Sequence, residues 1–300
     1  MGSCFAQNMG NLLGKHYFNL MLNPFGIVFN PISLAQQLQL LIEPSKFNEH
    51  TTLFSHQERV HSWLHHGSFS RTNKAQFMQE ITSNLLAAQQ QLKEASTLII
   101  TWGSANVYKL KETQMVVSNC HKVPANQFQK YQLSIGEIAE TYKQVLKELN
   151  AFNPHLQIIW SVSPVKYVRD GLHENNLSKA TLLLALEEVM KLYPNSYYFP
   201  AFEMQQDELR DYRFYASDMA HPSEQAIQYI WEQFVAHCIA PNDQQLLAQV
   251  YEFNRAMEHR PLHADTAEFQ QFRASTLEKI KQFRKSHSHI NLDRTEMFFS

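Results

Sequence analysis

The sequence predicts an α/β fold built on a parallel sheet. Three observations carry that expectation. Two short apolar runs, Thr97–Trp102 and Gln157–Ser163, each stop at a turn-forming residue, Gly103 and Pro164. Segments of helical period stand between and around them. A third short run, Tyr197–Phe202, follows the last of these helices. Strand and helix in alternation fold as parallel strands covered by helices, and sites in such sheets gather at the carboxyl ends of the strands.

The elements follow in order. Phe5–Phe18 reads as a helix, with Met9, Leu12, Leu13 and His16 at helical spacing. Phe18–Leu22 is a strand candidate, closed by the turn Asn23-Pro24-Phe25-Gly26. Ser33–Glu43 is a second helix, and Asn48–Arg71 is irregular. Asn73–Ala95 is a long helix with Phe77, Ile81, Leu85 and Leu92 on one face. Ser134 and Glu137 form a capping box that opens a helix to about Asn150. Leu177–Leu192 is an apolar helix. Pro222 stands where a first helical turn begins, and that helix runs to about Ala240. Residues 241–300 read as a helical extension, interrupted near Pro261, with an apolar stripe of Phe269, Phe272, Leu277, Ile280 and Phe283 and a mobile tail from Ser286. The stripe is expected to pack within the chain, a dimer contact being the alternative. The division is therefore 1–240 and 241–300.

Composition narrows the function classes. With 44% hydrophobic and 18% charged residues among 300, the chain can bury a core and is not disordered. A net charge of −2 provides no basic excess for a nucleic-acid backbone. No apolar run is long enough for a membrane span. Cys4, Cys120 and Cys238 are widely spaced, with no CxxC pair and no even-numbered disulfide framework, which points to a reducing, cytoplasmic setting.

Two places could carry chemistry. Ser3 directly precedes the first helix, where unpaired N–H groups and the helix dipole can hold a developing oxyanion. The plainer reading of such a serine is an N-cap. Near the far end, Asp218 and His221 share the loop ASDMAHPS; the carboxylate can fix the imidazole tautomer and stabilise its charged form. The plainer reading is a capped turn with an exposed histidine. His61 and His65, four apart, match metal-ligand spacing but lack an acidic or Cys companion other than Glu58, so a pocket-wall or structural role is expected. Cys4 reads as a small buried hydrophobe, and Asp211 with Arg213 as a structural pair.

Taken together, GSCFA at 2–6, NPFGIVFNPIS at 23–33, NCHKVP at 119–124, SPVKYVRDGLHENNLSKATLLLA at 163–185 and DYRFYASDMAHPSE at 211–224 resemble the GSCFA family, of the SGNH/GDSL-type hydrolases. The resemblance spans about residues 2–240. It implies a three-layer α/β/α flavodoxin-like sheet and an esterase that cleaves a carboxylic ester through an acyl-serine, without metal or organic cofactor. It assigns Ser3 as nucleophile, His221 as general base and Asp218 as its orienting acid. The N–H groups of Gly26 and Ser3 are the implied oxyanion donors.

The chain departs from the superfamily pattern twice. In the block Gly103-Ser104-Ala105-Asn106, Ala105 takes the slot of an oxyanion-binding Asn, and Asn106 falls one place late. Asn119 and His121 are substitute candidates. The strand that precedes the nucleophile in the superfamily is also missing, only Met1 and Gly2 standing before Ser3, so a start upstream of Met1 is expected. The substrate class implied is a small-molecule or glycan ester, such as an O-acetyl group on a carbohydrate. The competing classes are a catalytically impaired binding or structural protein on the same fold, and a metal-dependent hydrolase using His61, His65 and His121.

Overall fold

The computed structural model describes residues 1–259 and 265–300. The chain divides into two compact units, one of Met1–Asn8 with Met21–Ile230 and one of Met9–Leu20 with Trp231–Ser300.

In the first unit, α1 (Cys4–Lys15, of which Cys4–Asn8 belong here) is followed by α2 (Pro31–Ile42). Asn30 caps α2 by accepting from the Ser33 N–H, with Pro31 in the first turn. A short α3 (Glu49–Thr52) leads into a hairpin of β1 (Leu53–His56) and β2 (Arg59–Ser62). Gln57 and Glu58 at its tip both have positive φ, 48° and 61°. That turn suits Asn-Gly better than Gln-Glu, so this stretch, read from sequence as irregular, carried no hairpin signal.

Asn73 caps α4 (Lys74–Glu94), which leads to β3 (Thr97–Trp102). A second sheet that the sequence reading did not anticipate follows at once. In it β4 (Asn106–Leu110) lies between β5 (Val116–Val117) and β6 (Phe128–Gln132), all antiparallel. The capping box at Ser134 and Glu137 opens α5 (Ile135–Phe152) as expected. Next come β7 (Gln157–Val162), α6 (Leu172–Lys191), β8 (Ser196–Tyr198), a one-turn α7 (Ala201–Glu203) and α8 (Glu224–Cys238, of which Glu224–Ile230 belong here).

Strands β3, β7 and β8 form a parallel sheet in that order, with Thr97 beside Gln157 and Ile158 beside Ser196. Its central strand buries both faces: Ile158, Ile159, Trp160, Ser161 and Val162 are all buried. The core holds Trp102, Tyr142 and Trp160, and each polar tip is satisfied. Trp102 Nε1 donates to the Tyr142 hydroxyl (3.1 Å), which donates to the Pro31 carbonyl (3.1 Å), and Trp160 Nε1 donates to Ser196 Oγ (3.2 Å).

Four expectations are corrected. Phe18–Leu22 is no strand, because no sheet accepts a ladder from it. Helix α6 begins at Leu172 rather than Leu177, since Gly171, with φ 96°, makes the turn that admits the earlier start. The last strand ends at Tyr198, where pairing with Trp160 stops and Pro200 precedes a helical turn. The stretch after Ser286 is not a loose tail, as the second unit shows.

Met1 and Gly2 run alongside β3. Gly2 pairs with Thr101 in parallel, the Met1 amino group donates to Ile99 O (2.6 Å), and Thr101 N–H donates to Met1 O (3.0 Å). These two residues occupy the free edge of β3.

The second unit is helical: the remainder of α1 from Met9, the remainder of α8 from Trp231, and α9 (Pro241–Glu258), α10 (Ala267–Ser286) and α11 (Asp293–Phe299). Ile280 and Phe283 of the expected apolar stripe close on Val250, Phe253, Leu292 and Phe299, so the segment after Ser286 is packed. The interruption expected near Pro261 lies outside the described residues. Among the described residues no helix is long and apolar enough to cross a membrane.

Asn153 ties two helix ends of the first unit together: its buried amide donates to the carbonyls of Leu92 (3.0 Å) and Ala95 (2.8 Å). Asn153→Ala leaves both acceptors without that donor and is expected to lower stability by about 1–3 kcal/mol, read as a fall in the urea midpoint at unchanged m-value.

Candidate functional site

Ser3 stands where the chain leaves the edge of β3 and enters α1. The preceding residue is fixed on three sides. Gly2 N–H donates to Asn23 Oδ1 (2.9 Å), Gly2 O accepts from Val28 N–H (3.1 Å), and its Cα lies against β3. A Cβ there would stand 2.3 Å from the Thr101 carbonyl oxygen, and φ is 139°, so only glycine fits. Ser3 is 4% exposed. Its carbonyl accepts from Gln7 N–H (3.1 Å), as an N-cap carbonyl does, yet its hydroxyl caps nothing: Oγ has no hydrogen-bond partner. The Ser3 N–H also makes no hydrogen bond among the described residues.

The loop after α7 holds the second group. Asp218 Oδ1 accepts from the N–H groups of Ala220 and His221 (both 3.0 Å), and Oδ2 meets His221 Nδ1 at 2.6 Å. Those backbone donors first, and then the imidazole, hold the Asp218 carboxyl well below the usual carboxylate range. The loop is closed by Ala216 N–H on His221 O (2.8 Å), with Met219 in the left-handed region at φ 59°. Lys166 N–H donates to Ala220 O (3.0 Å), strapping the loop to the segment that leaves β7. Ser3, beside the end of β3, and His221, strapped beyond the end of β7, therefore belong to the same carboxyl edge of the sheet. No hydrogen bond joins Ser3 Oγ to His221.

The other expected residues are placed as follows. Gly26 has φ 79°, and its N–H donates to Asn23 O (2.7 Å), closing the turn; that N–H is committed and does not point a free donor at an oxyanion. A Cβ on Gly26 would stand 2.4 Å from His66 Cβ, so this glycine lets the 61–70 segment pack down. Gly103 N–H is likewise committed, to Phe29 O (2.7 Å). Asn106 opens β4 opposite Gln132, half-buried. Asn119 Oδ1 accepts from His121 N–H (2.7 Å) and so shapes the turn in which His121 has φ 47°.

His121 turns its ring into a cluster with Phe54, His61 and Trp63, and its Nε2 meets the Ser62 carbonyl (2.8 Å). His61 uses both ring nitrogens, on Ser70 Oγ (2.7 Å) and His56 O (3.0 Å), and His65 Nδ1 meets Ser62 Oγ (2.8 Å). Among the described residues no group of three His, Cys, Asp or Glu side chains is arranged to hold a metal ion. His65 instead packs on Phe25, their rings 4.8 Å apart, while His61 and His121 pack with Phe54 and each other. Cys4 is half-buried, and desolvation raises its thiol pKa, which makes it a poor nucleophile. Arg213 pairs with Asp211 at 3.2 Å, as expected.

Sequence reasoning missed Asn23 and the pair Ser178–Lys179. Asn23 was assigned to a turn, but its side chain also holds Gly2 and donates to Gln7 Oε1 (2.9 Å). Lys179 is 2% exposed within a helix read as apolar. The signal available was a lysine on the inner face of an otherwise apolar helical stretch.

The sequence profile of the GSCFA family matches residues 1–234, and that of the GSCFA domain protein C-terminal domain matches residues 251–298. The chain belongs to the GSCFA family. Neither the curated proteins nor the solved structures contain a match.

Two outcomes are expected from this geometry. Gly2→Ala forces a Cβ into the Thr101 carbonyl and is expected to destabilise by about 3 kcal/mol, read by thermal unfolding. Burial lowers the pKa of His65 to about 3 and of His121 to about 4, with nearby histidines adding to the shift. The unfolded chain binds more protons than the folded one between those values and about 6.5, so stability should fall as pH drops through that window. Urea midpoints measured from pH 7 to pH 4 check this; a midpoint constant over the range would contradict it.

Proposed function

We propose that this protein is a serine esterase of SGNH type, its sheet and helices arranged as a three-layer α/β/α sandwich. The observation that carries the reading is the state of Ser3. It is a buried residue at a helix N-terminus whose hydroxyl and amide are both unpartnered, behind a glycine held rigidly in place. A nucleophile with its own oxyanion donor needs that combination, whereas a capping serine would have used its hydroxyl on the helix.

The chemistry follows from the groups present. With Nδ1 held by Asp218, His221 presents Nε2 as a base. As Ser3 Oγ attacks the ester carbonyl, Nε2 takes its proton and then passes it to the departing alcohol. Water, deprotonated in turn by His221, attacks the acyl-serine, and His221 returns that proton to the departing Ser3 Oγ as the carboxylic acid is released. The Ser3 N–H and the first free amides of α1 face the developing oxyanion. With Gly26 N–H committed elsewhere and Ala105 in the asparagine slot, the hole has fewer donors than the superfamily pattern; each missing donor costs about 3 kcal/mol of transition-state stabilisation. The reading is therefore of a slow esterase. A carbohydrate O-acetyl ester is the substrate class suggested by analogy of fold. Three unpaired cysteines fit a reducing compartment.

A second reading, a binding or structural protein on the same fold, is favoured by one observation: Ser3 Oγ and His221 are not hydrogen-bonded. Turnover of p-nitrophenyl acetate by the full chain separates the two. Under the esterase reading, Ser3→Ala and His221→Ala each lower kcat by about 10³-fold or more, and Asp218→Asn by a smaller factor, with the thermal midpoint of Ser3→Ala not below that of wild type. Equal rates for wild type and Ser3→Ala remove the enzyme and leave the binding protein. Because the Asp218 pKa is depressed, its bond to His221 should survive as pH falls through 4 and be lost only below that, read from the His221 Nδ1 proton in NMR spectra.

A further inference from the structure

Lys179 stands on the inner face of α6, and the esterase chemistry above does not use it. Among the described residues its ammonium has no carboxylate partner; Nζ donates instead to two backbone carbonyls, Gly103 O (2.7 Å) and Ser163 O (2.6 Å). The ring of Phe202 is centred 5.6 Å away. Buried cations are ordinarily paired with an acid, and burial alone brings this one down to about 7. Packing does not require a lysine here, since an unbranched apolar side chain fills similar space without the desolvation cost.

The two carbonyls explain its place. Gly103 and Ser163 are the first residues beyond the carboxyl ends of β3 and β7, which are joined there by Ser163 N–H on Trp102 O (2.7 Å). The neighbouring Ser178 works on the same turn: its Oγ accepts from Ala105 N–H (2.8 Å) and meets Ser104 Oγ (3.3 Å). Ser104 Oγ in turn accepts from Asn106 N–H (3.0 Å), and Phe29 O holds the amides of Gly103 and Ser104 (2.7 and 3.3 Å). Because Gly2 pairs with Thr101 in parallel, the Gly103–Asn106 turn begins beside Ser3. Carbonyl oxygens at this edge carry partial negative charge, and an ester oxygen that becomes negative next to them is destabilised unless they are engaged.

We infer that Lys179, with Ser178, is a positioning pair that fixes the Gly103–Asn106 turn beside Ser3 and engages the strand-end carbonyls that would oppose negative charge on the substrate. The part of this inference that concerns catalysis rests on the esterase reading; the part that concerns the turn does not.

The test compares wild type, Lys179→Met and Ser178→Ala as full-length chains, by amide hydrogen exchange and by p-nitrophenyl acetate kinetics. In Lys179→Met, exchange at Gly103–Asn106 is expected to rise about tenfold or more while the amides of Ile158–Val162 keep their protection, and kcat to fall about 10–100-fold with KM within about threefold. Ser178→Ala, which keeps the lysine, should speed exchange at Ala105 and lower kcat less; it carries the test by itself if Lys179→Met does not fold. Unchanged exchange at the turn in a folded variant overturns the inference. So does an unchanged kcat alongside Ser3-dependent turnover in the wild type. If Ser3→Ala turns over as fast as wild type, the esterase reading falls by that result alone, and exchange at the turn then decides for or against the pair.

Discussion

The site depends on the seating of Gly2. The residue lies with its Cα against the Thr101 carbonyl, its N–H on the Asn23 side chain and its carbonyl on the Val28 amide. No other residue type fits that contact, and the three constraints act in three directions. They fix the direction in which the chain leaves the β3 edge, hence where α1 begins and where the Ser3 hydroxyl points. The turn at Asn23–Gly26 is tied to the same point, because Asn23 holds Gly2 with its side chain and Gly26 with its carbonyl. Gly26 in turn admits the histidine-rich 61–70 segment, whose His66 N–H donates to Phe25 O (2.8 Å). Motifs far apart in the chain thus form one stack: the histidine-rich segment, the turn, the glycine and the serine.

The parts of the fold legible in the sequence were those fixed by local signals. The parallel pair β3 and β7 announced itself through uninterrupted apolar runs ended by Gly103 and Pro164, and α5 through its capping box. The Asp218–His221 pair was legible because both residues sit in one short loop. What could not be read were features set by distant partners. The β4–β6 sheet lacks a clean alternation: Gln129 and Lys130 of β6 are exposed side by side, and Tyr108 and Lys109 of β4 are both half-buried. The β1–β2 hairpin turns on Gln57 and Glu58, residues with no preference for positive φ, held there by the packing of Phe54 on Trp63, their rings 3.6 Å apart. Phe18–Leu22 has the composition of a strand and no neighbour to pair with.

Roles were harder to read than positions. Gly26 has the turn geometry expected of it, yet its N–H is committed to Asn23, a bond between near neighbours that only backbone dihedrals reveal. His121 matched a motif and was a candidate for the pocket; its ring packs instead with Phe54, His61 and Trp63, where an aromatic wall needs a group with one polar atom to meet the Ser62 carbonyl. Lys179 escaped notice because helical periodicity treats a lysine as an exposed residue.

The distribution of buried polar groups gives the strongest physical reason to regard this edge as functional. Around the Trp102–Tyr142–Trp160 centre the first unit is largely apolar, and the polar tips of these three rings are each hydrogen-bonded. At the carboxyl edge of the sheet the balance inverts: Ser3, Asn23, Ser104, Ser163, Ser178 and Lys179 are all buried. Burying so many polar groups, a cation among them, is no route to stability, since apolar replacements of similar volume generally match or exceed it. Nearly all of these atoms are hydrogen-bonded to one another or to strand ends, so the edge is rigid. The Ser3 hydroxyl is the exception, an unsatisfied donor inside an otherwise satisfied network, which costs stability where it stands. A rigid polar frame around one unpartnered hydroxyl is disfavoured by folding alone and becomes understandable when that hydroxyl's partner is a reacting molecule.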